Sequence, residues 1–599
     1  MSANILYQNI TTRPAPGRRL TGTRAAVAAM AAAGVLLPMS VEAQHMGTPH
    51  QGPLAIGSDA TKARAGRPAS EPLRREIEAQ VLGGEIEERL GGQTDKGVVT
   101  ALRAAYAQYL FEPIWTAESA HDLYDTAADS FSRGIVIEDG GLQQIDDLIE
   151  RRNSADPAVA AEADIGLSTI FLRLAGEVSN GLSDEGEAAE PRRFGPNQAK
   201  LTRAIVNAGN GSIEAALDSL EPEHPQFSKL KSALEQYRGI ADRGGWLAIP
   251  AGGIVREGER DARIPALRER LAVEGFGDGR PMLMDQPDRF DAGTVTALKA
   301  FQRRHGLEDD GVLGPNTLEA LNESVESKID RIVDTMYRLR KQGDFGERHV
   351  WVNIPSFTAE GWNAGHREIS MKTIVGRPDR QTPIFSDEVE YVVTSPKWNV
   401  PVSILRRDKM PKLREDASYA RQNNFRVFER ASGAEVSAYS VNWNDPSSAK
   451  RYKLVQEPGD NNALGQLKII FPNQYSVYMH GTPSVHLFEE AKRTFSSGCV
   501  RLERPEDMAK WIASRDPVLR PEQVDEKLSR KDHKWMGVGE RIPVHITYFT
   551  VTADGDGGVN FWRDVYDRQP YIASVKQQAP LYTPRDRTLT RADAAKKKG

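Results

Sequence analysis

The spacing of apolar residues changes once along this sequence of 599 residues. Up to about Lys341 they recur every three or four positions, as Leu142, Ile145 and Ile149 do, which predicts amphipathic helices with one apolar stripe each. Beyond that point, alternation and short apolar runs such as 544–551 predict β-strands. Because the chain is too long for one ordinary core, the sequence predicts a multidomain α+β protein.

Changes in composition divide the chain into domains. Helical spacing fills residues 72–250, and a glycine-rich break at 251–253 separates them from a compact helical module, 255–322. The strand-like segments fall within 328–570. Inside this region, residues 404–451 form a polar stretch too long for an ordinary loop, which predicts a lid or capping subdomain over a cleft.

The first residues predict export. Basic residues, a short apolar run from Ala25 to Leu37 and a small-residue site at Val41-Glu42-Ala43 indicate a cleaved signal peptide, 1–43. An uncleaved anchor is the alternative, but the run is shorter than the roughly 20 residues of a spanning helix. Arg18-Arg19 leaves the choice between general secretion and twin-arginine export open. Two further segments are predicted to lack a core: a flexible leader, 44–71, and a disordered basic tail, 579–599.

The overall charge argues against one class of partner. A net charge of -5 and a pI near 6.2 give the protein no general basic field. We therefore expect no nucleic-acid partner recruited by bulk electrostatics. Any partner must be recognised locally.

The sequence contains a single cysteine, Cys499. An exported protein meets oxidising conditions, where cysteines normally form pairs, and an unpaired thiol there is open to oxidation. A buried cysteine that acts as a small apolar residue is one interpretation. The surrounding residues favour the other one, a catalytic nucleophile.

His480-Gly481 precedes Ser496-Ser497-Gly498-Cys499 by a short stretch. A thiol must lose its proton to attack a carbonyl, and only a few per cent is ionised at neutral pH. His480 could take that proton, form an ion pair with the thiolate and later protonate a leaving amine. Gly498 permits an unusual turn, so that the amides of Gly498 and Cys499 could face the oxygen that gains negative charge.

These residues resemble the catalytic domain of the L,D-transpeptidase family, the YkuD type. The family signature is a His-Gly segment followed by Ser-x-Gly-Cys-[Ile/Val]-Arg-[Leu/Met]. Its fixed positions all occur in this chain: His480, Gly481, Ser496, Gly498, Cys499, Val500, Arg501 and Leu502. Many members have a histidine before the Gly-Cys pair where this chain has Ser497, so any duty of that histidine is in doubt.

The module 255–322 resembles the peptidoglycan-binding domain type 1, through Phe301-Gln302, His305-Gly306-Leu307 and Asp310-Gly311 among other positions. This resemblance implies a three-helix bundle in which residues 310–314 form the turn before the last helix. A helical spacer that binds nothing is the alternative. Together the resemblances imply a long periplasmic enzyme with an all-α scaffold, this module and a β-rich catalytic domain with a capping subdomain.

The resemblance also implies a mechanism. Cys499 attacks the bond between diaminopimelate and D-Ala in a tetrapeptide stem, releases D-Ala and forms a thioester, which the amine of a second stem resolves to a 3-3 cross-link. His480 serves as base and then acid, oriented by the carbonyl of Gly481. Such an enzyme would take part in peptidoglycan biosynthesis, cell wall biogenesis and cell shape, and carbapenems would target it.

The remaining predicted site residues have less specific roles. Arg501 either secures the site, binds a substrate carboxylate or pairs with an acidic neighbour. Ser496 and Ser497 are expected close to the substrate, and Trp398 and Tyr478 could line the donor groove, although aromatic residues in strands usually serve the core. His486 is a second candidate base outside the signature, interpreted as a surface or packing histidine.

Three alternatives stay open at this point. Water could resolve the thioester, which would make the protein an L,D-carboxypeptidase, or a protein amine could do so and attach an envelope protein to the wall. A non-catalytic wall-binding scaffold is the third. The expected partners are stem peptides and possibly glycan, with membrane contact only during export and with no cofactor or metal.

Overall fold

The computed structural model describes residues 70–83, 96–135, 137, 141–180, 198–277, 285–555 and 557–568. The predicted signal peptide, the predicted basic tail and all but the last two residues of the predicted leader lie outside them. Among the described residues, none of the helices is both long and apolar enough to cross a membrane.

The described part of the predicted scaffold is helical. Its apolar stripes face a common core; in Gly141–Arg151, for example, Ile145, Leu148 and Ile149 are buried. The helix Pro157–Asn180 also buries Asp164, whose carboxylate accepts hydrogen bonds from Tyr106 Oη at 2.6 Å and from two backbone amides. The helices are α1 (Glu71–Leu82), α2 (Lys96–Gln108), α3 (Ala117–Ala128), α4 (Gly141–Arg151), α5 (Pro157–Asn180), α6 (Gln198–Asn210), α7 (Ile213–Asp218) and α8 (Pro225–Asp242).

The module that follows has the three helices that the sequence predicts: α9 (Ile264–Val273), α10 (Ala292–Arg304) and α11 (Pro315–Leu321). Leu267, Leu298 and Phe301 lie in its core. The turn before α11 contains Gly311 at φ +73°, where a side chain would meet Val295. Glycine is therefore required at this position.

The β-rich domain begins after α12 (Val325–Gln342) and contains a sheet of nine strands. The strand order is β11-β3-β12-β10-β9-β4-β13-β1-β2, and β2 also pairs with β3, so the sheet closes on itself like a barrel. Its core is one large apolar cluster. The strands are β1 (Arg348–Asn353), β2 (Thr358–Asn363), β3 (His366–Gly376), β4 (Phe385–Thr394), β9 (Leu467–Ile470), β10 (Met479–His480), β11 (Thr494–Ser496), β12 (Val500–Leu502) and β13 (Lys534–Thr547).

The remaining elements surround this sheet. Val551–Ala553 (β14) and Val559–Phe561 (β15) form a hairpin that shares an apolar cluster with α8 and α12. Pro505–Ala513 (α17) contributes Met508 and Ile512 to the core of the large sheet, and Pro521–Ser529 (α18) packs beside it.

The predicted capping subdomain contains a second sheet, which the sequence does not predict. Trp398–Asn399 (β5), Phe425–Glu429 (β6), Glu435–Val436 (β7) and Tyr452–Gln456 (β8) pair in the order β5-β8-β6-β7. Its own apolar cluster extends from Trp398 to Leu464, beyond both ends of 404–451. Four short helices accompany it: α13 (Val402–Ile404), α14 (Met410–Glu415), α15 (Tyr419–Gln422) and α16 (Ser448–Arg451).

Candidate active site

Strand register aligns three polar side chains across the large sheet. Lys468 on β9 lies opposite His480 on β10, and His480 lies opposite Arg501 on β12. Directly paired residues project from the same face of a sheet, so these three side chains form a row on one face. Tyr478, two residues before His480, lies on this face as well, and the two rings are 5.6 Å apart.

Cys499 lies immediately before β12, next to this row. The Tyr478 backbone amide and hydroxyl both hydrogen bond with its sulfur. Since the Tyr478 ring lies 5.6 Å from the His480 ring, this contact brings the thiol to the side of the sheet that carries His480. Cys499 is partly exposed. The predicted nucleophile is therefore neither remote from the predicted base nor fully enclosed in a core.

Hydrogen bonds from neighbouring side chains hold the loop that carries Cys499. Ser496 Oγ donates to the Cys499 carbonyl at 2.6 Å and accepts from the Gly498 amide at 3.1 Å. Thr382 Oγ1 donates to the Gly498 carbonyl at 2.8 Å and accepts from the Gly376 amide at 2.9 Å. Gly498 has φ +116°, a conformation that glycine adopts with little strain.

The backbone carbonyl of the next residue, Gly481, orients the His480 ring. Its Nδ1 lies 2.5 Å from the carbonyl oxygen of Gly481, the orienter that the sequence predicts. A carbonyl only accepts, so Nδ1 carries the proton and Nε2 is left as the basic nitrogen. Burial, followed by the charge of Arg501, lowers the pKa of His480 to about 3. The ring is neutral over the physiological range.

The thiol is also neutral at rest. Burial raises the pKa of Cys499 above its ordinary value, while hydrogen bonds from Tyr478 and the charges of Lys468 and Arg501 act in the opposite direction. The sequence led us to expect a thiolate-imidazolium ion pair in these positions. The structure favours a thiol and a neutral imidazole instead, because both groups lie where charge is costly to hold.

The family comparison agrees with this geometry. The L,D-transpeptidase catalytic domain family, YkuD, matches residues 347–519. These residues are similar to the YkuD catalytic domain. Residues 100–234 match the family described as "Scaffold domain", and residues 260–321 match the "Putative peptidoglycan binding domain".

Individual relatives cover only parts of the chain. A Haemophilus influenzae protein named "Putative L,D-transpeptidase" is 30% identical over 263 residues, which are 42% of this chain and 51% of that protein. This chain thus spans about half the length of that curated relative. An L,D-transpeptidase structure from Mycobacterium smegmatis is 14% identical over 34% of this chain and 58% of its own, with a TM-score of 0.15. An L,D-transpeptidase structure from Stackebrandtia nassauensis is 12% identical, covers 50% of this chain and 96% of its own, and has a TM-score of 0.18.

Lys468 is a residue of the candidate site that sequence reasoning missed. Its Nζ lies 3.6 Å from the centre of the Tyr478 ring, a cation-π contact. Burial lowers the pKa of Lys468, and the nearby Cys499 raises it. Within the described residues it has no carboxylate partner, so its charge acts on the site. A lysine in an apolar strand carries no signal of this role without the register between β9 and β10.

Arg501 lies in the same region of positive charge. In the part of the chain that is described, no carboxylate lies within ion-pair distance of Arg501, and its buried Nε has no hydrogen-bond partner. Burial lowers its pKa, Cys499 raises it and Arg377 lowers it further. The predicted alternative of an acidic structural neighbour therefore finds no support among these residues.

Only one of the two predicted oxyanion donors is free. The Gly498 amide already donates to Ser496 Oγ, whereas the Cys499 amide makes no hydrogen bond to any described residue. The placement favours the Cys499 amide as the donor to an oxyanion and makes Gly498 the residue that shapes the turn.

The residues predicted near the substrate have protein partners. Trp398 is buried in the core of the capping subdomain and hydrogen bonds with Tyr478, which contacts Cys499. Ser497 is exposed and accepts a hydrogen bond from Arg380 at 3.0 Å. Direct contact of Ser496, Ser497, Trp398 and Tyr478 with substrate stays a prediction. His486 lies exposed in the short turn Val485–Glu489.

The described residues also contain no group of three or more His, Cys, Asp or Glu side chains arranged to hold a metal ion.

Proposed function

We propose that this protein is an exported, cysteine-dependent L,D-transpeptidase that forms 3-3 cross-links in the peptidoglycan of the periplasm. The observation that carries the proposal is the arrangement of Cys499 beside the row of Lys468, His480 and Arg501. The chain has one thiol, which hydrogen bonds with Tyr478, and the Tyr478 ring lies 5.6 Å from the neutral imidazole of His480.

In the acylation step, Cys499 Sγ attacks the carbonyl that joins diaminopimelate to D-Ala, and the thiol proton passes to His480 Nε2. The Cys499 amide donates to the oxyanion of the tetrahedral intermediate. The C–N bond then breaks, and the imidazolium returns the proton to the leaving amine of D-Ala. The products are a thioester on Cys499 and free D-Ala.

In the second step, the side-chain amine of another diaminopimelate attacks the thioester carbonyl. His480 takes a proton from this amine, the C–S bond breaks, and the thiolate recovers the proton from the imidazolium. A neutral His480 suits both steps, because only the unprotonated ring can accept a proton first.

The surroundings of Arg501 support a substrate that carries a free carboxylate. Its guanidinium has no carboxylate partner among the described residues, and peptide stems carry free carboxylates near the scissile bond. We propose that Arg501 binds such a carboxylate and holds the donor stem over Cys499, as a planar guanidinium does well.

The direct test is incubation of the purified protein with disaccharide-tetrapeptides, followed by liquid chromatography and mass spectrometry. The proposal predicts release of D-Ala together with a dimer joined by a 3-3 bond, and neither product with the Cys499→Ala variant. Tripeptide without dimer would instead indicate an L,D-carboxypeptidase. An unchanged substrate would indicate the non-catalytic scaffold.

A further inference from the structure

The last helix of the scaffold, α8, begins with an unusual capping residue. Its N-cap is His224, whose Nδ1 accepts a hydrogen bond from the backbone amide of Gln226 at 3.2 Å. Serine, threonine, aspartate and asparagine are the residues that helices usually use here. An imidazole nitrogen can accept only while it carries no proton. The cap of α8 therefore exists only in the neutral form of His224.

The His224 ring lies at the contact between the scaffold and the catalytic domain. It is buried, and its centroid is 4.3 Å from that of Phe345, 5.5 Å from that of Trp351 and 5.9 Å from that of Trp362. These three aromatic residues precede or belong to the first two strands of the catalytic domain. A ring of the scaffold thus fills an aromatic recess of the neighbouring domain.

The first turn of α8 makes a second contact with the catalytic domain. The side chain of Gln226 is buried, donates to the carbonyl of Ala553 at 2.8 Å and accepts from the amide of the same residue at 2.8 Å. Ala553 ends strand β14 of the hairpin. Because the Gln226 amide is also the group that His224 caps, the cap and this contact share one turn of helix.

Two further buried histidines lie next to His224. The ring centroids of His224 and His349 are 6.1 Å apart, and those of His349 and His545 are 5.7 Å apart. Nδ1 of His349 donates to the Gly346 carbonyl at 2.8 Å. Nε2 of His224 and Nε2 of His349 are buried without a hydrogen-bond partner among the described residues. A proton added to His349 would thus have no acceptor, so the fold also favours its neutral form.

The elements packed around His224 offer little to balance a positive charge on its ring. Their charged and titratable groups are Lys229 of α8, Arg340 of α12, Asp344 before β1, His349 of β1, Glu360 of β2 and His545 of β13. No described carboxylate forms an ion pair with His224, and the aromatic rings beside it cannot solvate an ion.

The direction of the pH effect follows from this burial. Burial, followed by the nearby His349, lowers the pKa of His224 from its ordinary value of 6.5 to about 3. A group that is harder to protonate when docked stabilises docking fully above pH 6.5. This contribution is lost progressively as the pH falls from 6.5 towards 3.

We propose that His224 is a proton-operated latch between the scaffold and the catalytic domain. Protonation of Nδ1 removes the lone pair that caps α8 and places a positive charge at the positive end of the helix dipole. The first turn of α8 then leaves the aromatic recess and releases Ala553. Return to neutral pH restores the cap and the contact. The latch is independent of the reaction that the thiol performs.

Hydrogen–deuterium exchange of the full chain tests the latch. Peptides that span the start of α8 and β14 are followed between pH 5 and 6.5, where reclosing is faster than exchange, and each rate is corrected for the intrinsic rate at that pH. His224→Asn keeps an oxygen that accepts from the Gln226 amide but does not titrate in this range. In the native protein, protection should fall with pH more steeply than in this variant, by about one further tenfold step per pH unit, because one more proton is linked to opening.

His121→Asn is the matched control, since this histidine is exposed on α3 of the same domain. Its protection should depend on pH as that of the native protein does. Equal pH dependence of the native protein and the His224→Asn variant would overturn the proposal. Circular dichroism at pH 7.5 shows whether each variant is folded.

A second measurement uses the native protein alone. Hydroxyl-radical footprinting at pH 7.5 and pH 5 should show more oxidation of Phe345 and Trp362 in acid, because release of His224 opens their recess. Phe171, fully buried in the core of the scaffold, should stay protected at both pH values, which shows that the domain itself remains folded. Unchanged oxidation of Phe345 and Trp362, or equal exposure of Phe171, would contradict a latch at this contact.

Discussion

At the level of single residues, the reactivity of Cys499 depends on two nearby positive charges and on two neutral groups. The positive charges are those of Lys468 and Arg501, which lie in the row across the sheet. The neutral groups are Tyr478, which hydrogen bonds to the sulfur, and His480, the proposed base. The positive charges lower the pKa of both the thiol and the imidazole, which keeps the imidazole unprotonated. Burial raises the pKa of the thiol and outweighs them.

The neutral thiol of Cys499 and the neutral imidazole of His480 predict an unusual pH dependence of acylation. His480 has a pKa of about 3, so acidification through the ordinary histidine range does not remove the base. We expect the rate constant of acylation by a carbapenem to vary less than about twofold between pH 5 and 7. Stopped-flow measurement of the reaction over this range checks it. An acid limb centred near 6.5 would show instead that His480 titrates normally.

Lys468→Met should make the thiol harder to ionise. Removing the positive charge eliminates one of the effects that lower the pKa of Cys499. The pH profile of alkylation by iodoacetamide should move to higher pH, because a nearby positive charge favours the thiolate. Lys468→Arg, which keeps the charge, is the control, and equal profiles for both variants would contradict this role.

Sequence reasoning proposed Cys499 as the nucleophile and His480 as the base, but it did not identify Lys468. His480, Gly481 and Cys499 sit in a motif whose spacing is visible in the chain. Lys468 could not be found in this way, because its place beside His480 follows from the pairing of β9 with β10. The neutral state of His480 likewise follows from burial, which no spacing reveals.

At the level of elements, one arginine connects the capping subdomain to the nucleophile loop. Arg380 pairs with both carboxylate oxygens of Asp408, at 2.6 and 2.8 Å, and donates to Ser497 Oγ at 3.0 Å. Asp408 lies in a π-helical turn, Leu405–Lys409, an element that occurs often at functional sites. Motion of the subdomain is therefore expected to change the position of the loop that carries Cys499.

This connection predicts coupled effects of two substitutions. Asp408→Asn and Arg380→Gln should each lower kcat/KM for the tetrapeptide by about fivefold to tenfold, since each removes a charge-assisted contact. The double variant should be no worse than the poorer single one. Multiplicative losses in this double-mutant cycle would mean that the two residues act independently.

The second sheet shows which elements the sequence could not predict. Strand β1 contains the apolar run 350–352 and is buried at five of its six residues. In β6, only Phe425 and Val427 alternate with charged residues, and the strand has five residues. So short a pattern is easily taken for a polar loop, although together with β8 it builds a core around Trp398.

At the level of the whole molecule, a buried cluster of charged and polar side chains joins three domains. Tyr237 belongs to the scaffold, Glu274 and His305 to the module, and Lys328 to the helix that leads into the catalytic domain. Lys328 pairs with Glu274 at the centre of the cluster, and Arg270 also pairs with this carboxylate at 2.5 Å. We infer that folding of the module and its docking are coupled.

Glu274→Gln should destabilise the protein strongly. The change leaves the buried charges of Lys328 and Arg270 without their carboxylate, which costs about 3 kcal/mol or more. Urea unfolding followed by tryptophan fluorescence and by limited proteolysis of the module measures the loss. Arg74→Gln, which breaks an exposed pair, is the control and should leave the free energy of unfolding nearly unchanged.

The central claim is that Cys499 is an accessible nucleophile activated by His480. Intact-mass spectrometry after incubation with a carbapenem tests it most directly, because the thiol should open the lactam ring and retain the whole molecule. The account predicts one covalent adduct on the native protein, slow formation of the adduct with His480→Gln and none with Cys499→Ala. An adduct that survives Cys499→Ala, or a native protein that forms none, would contradict it.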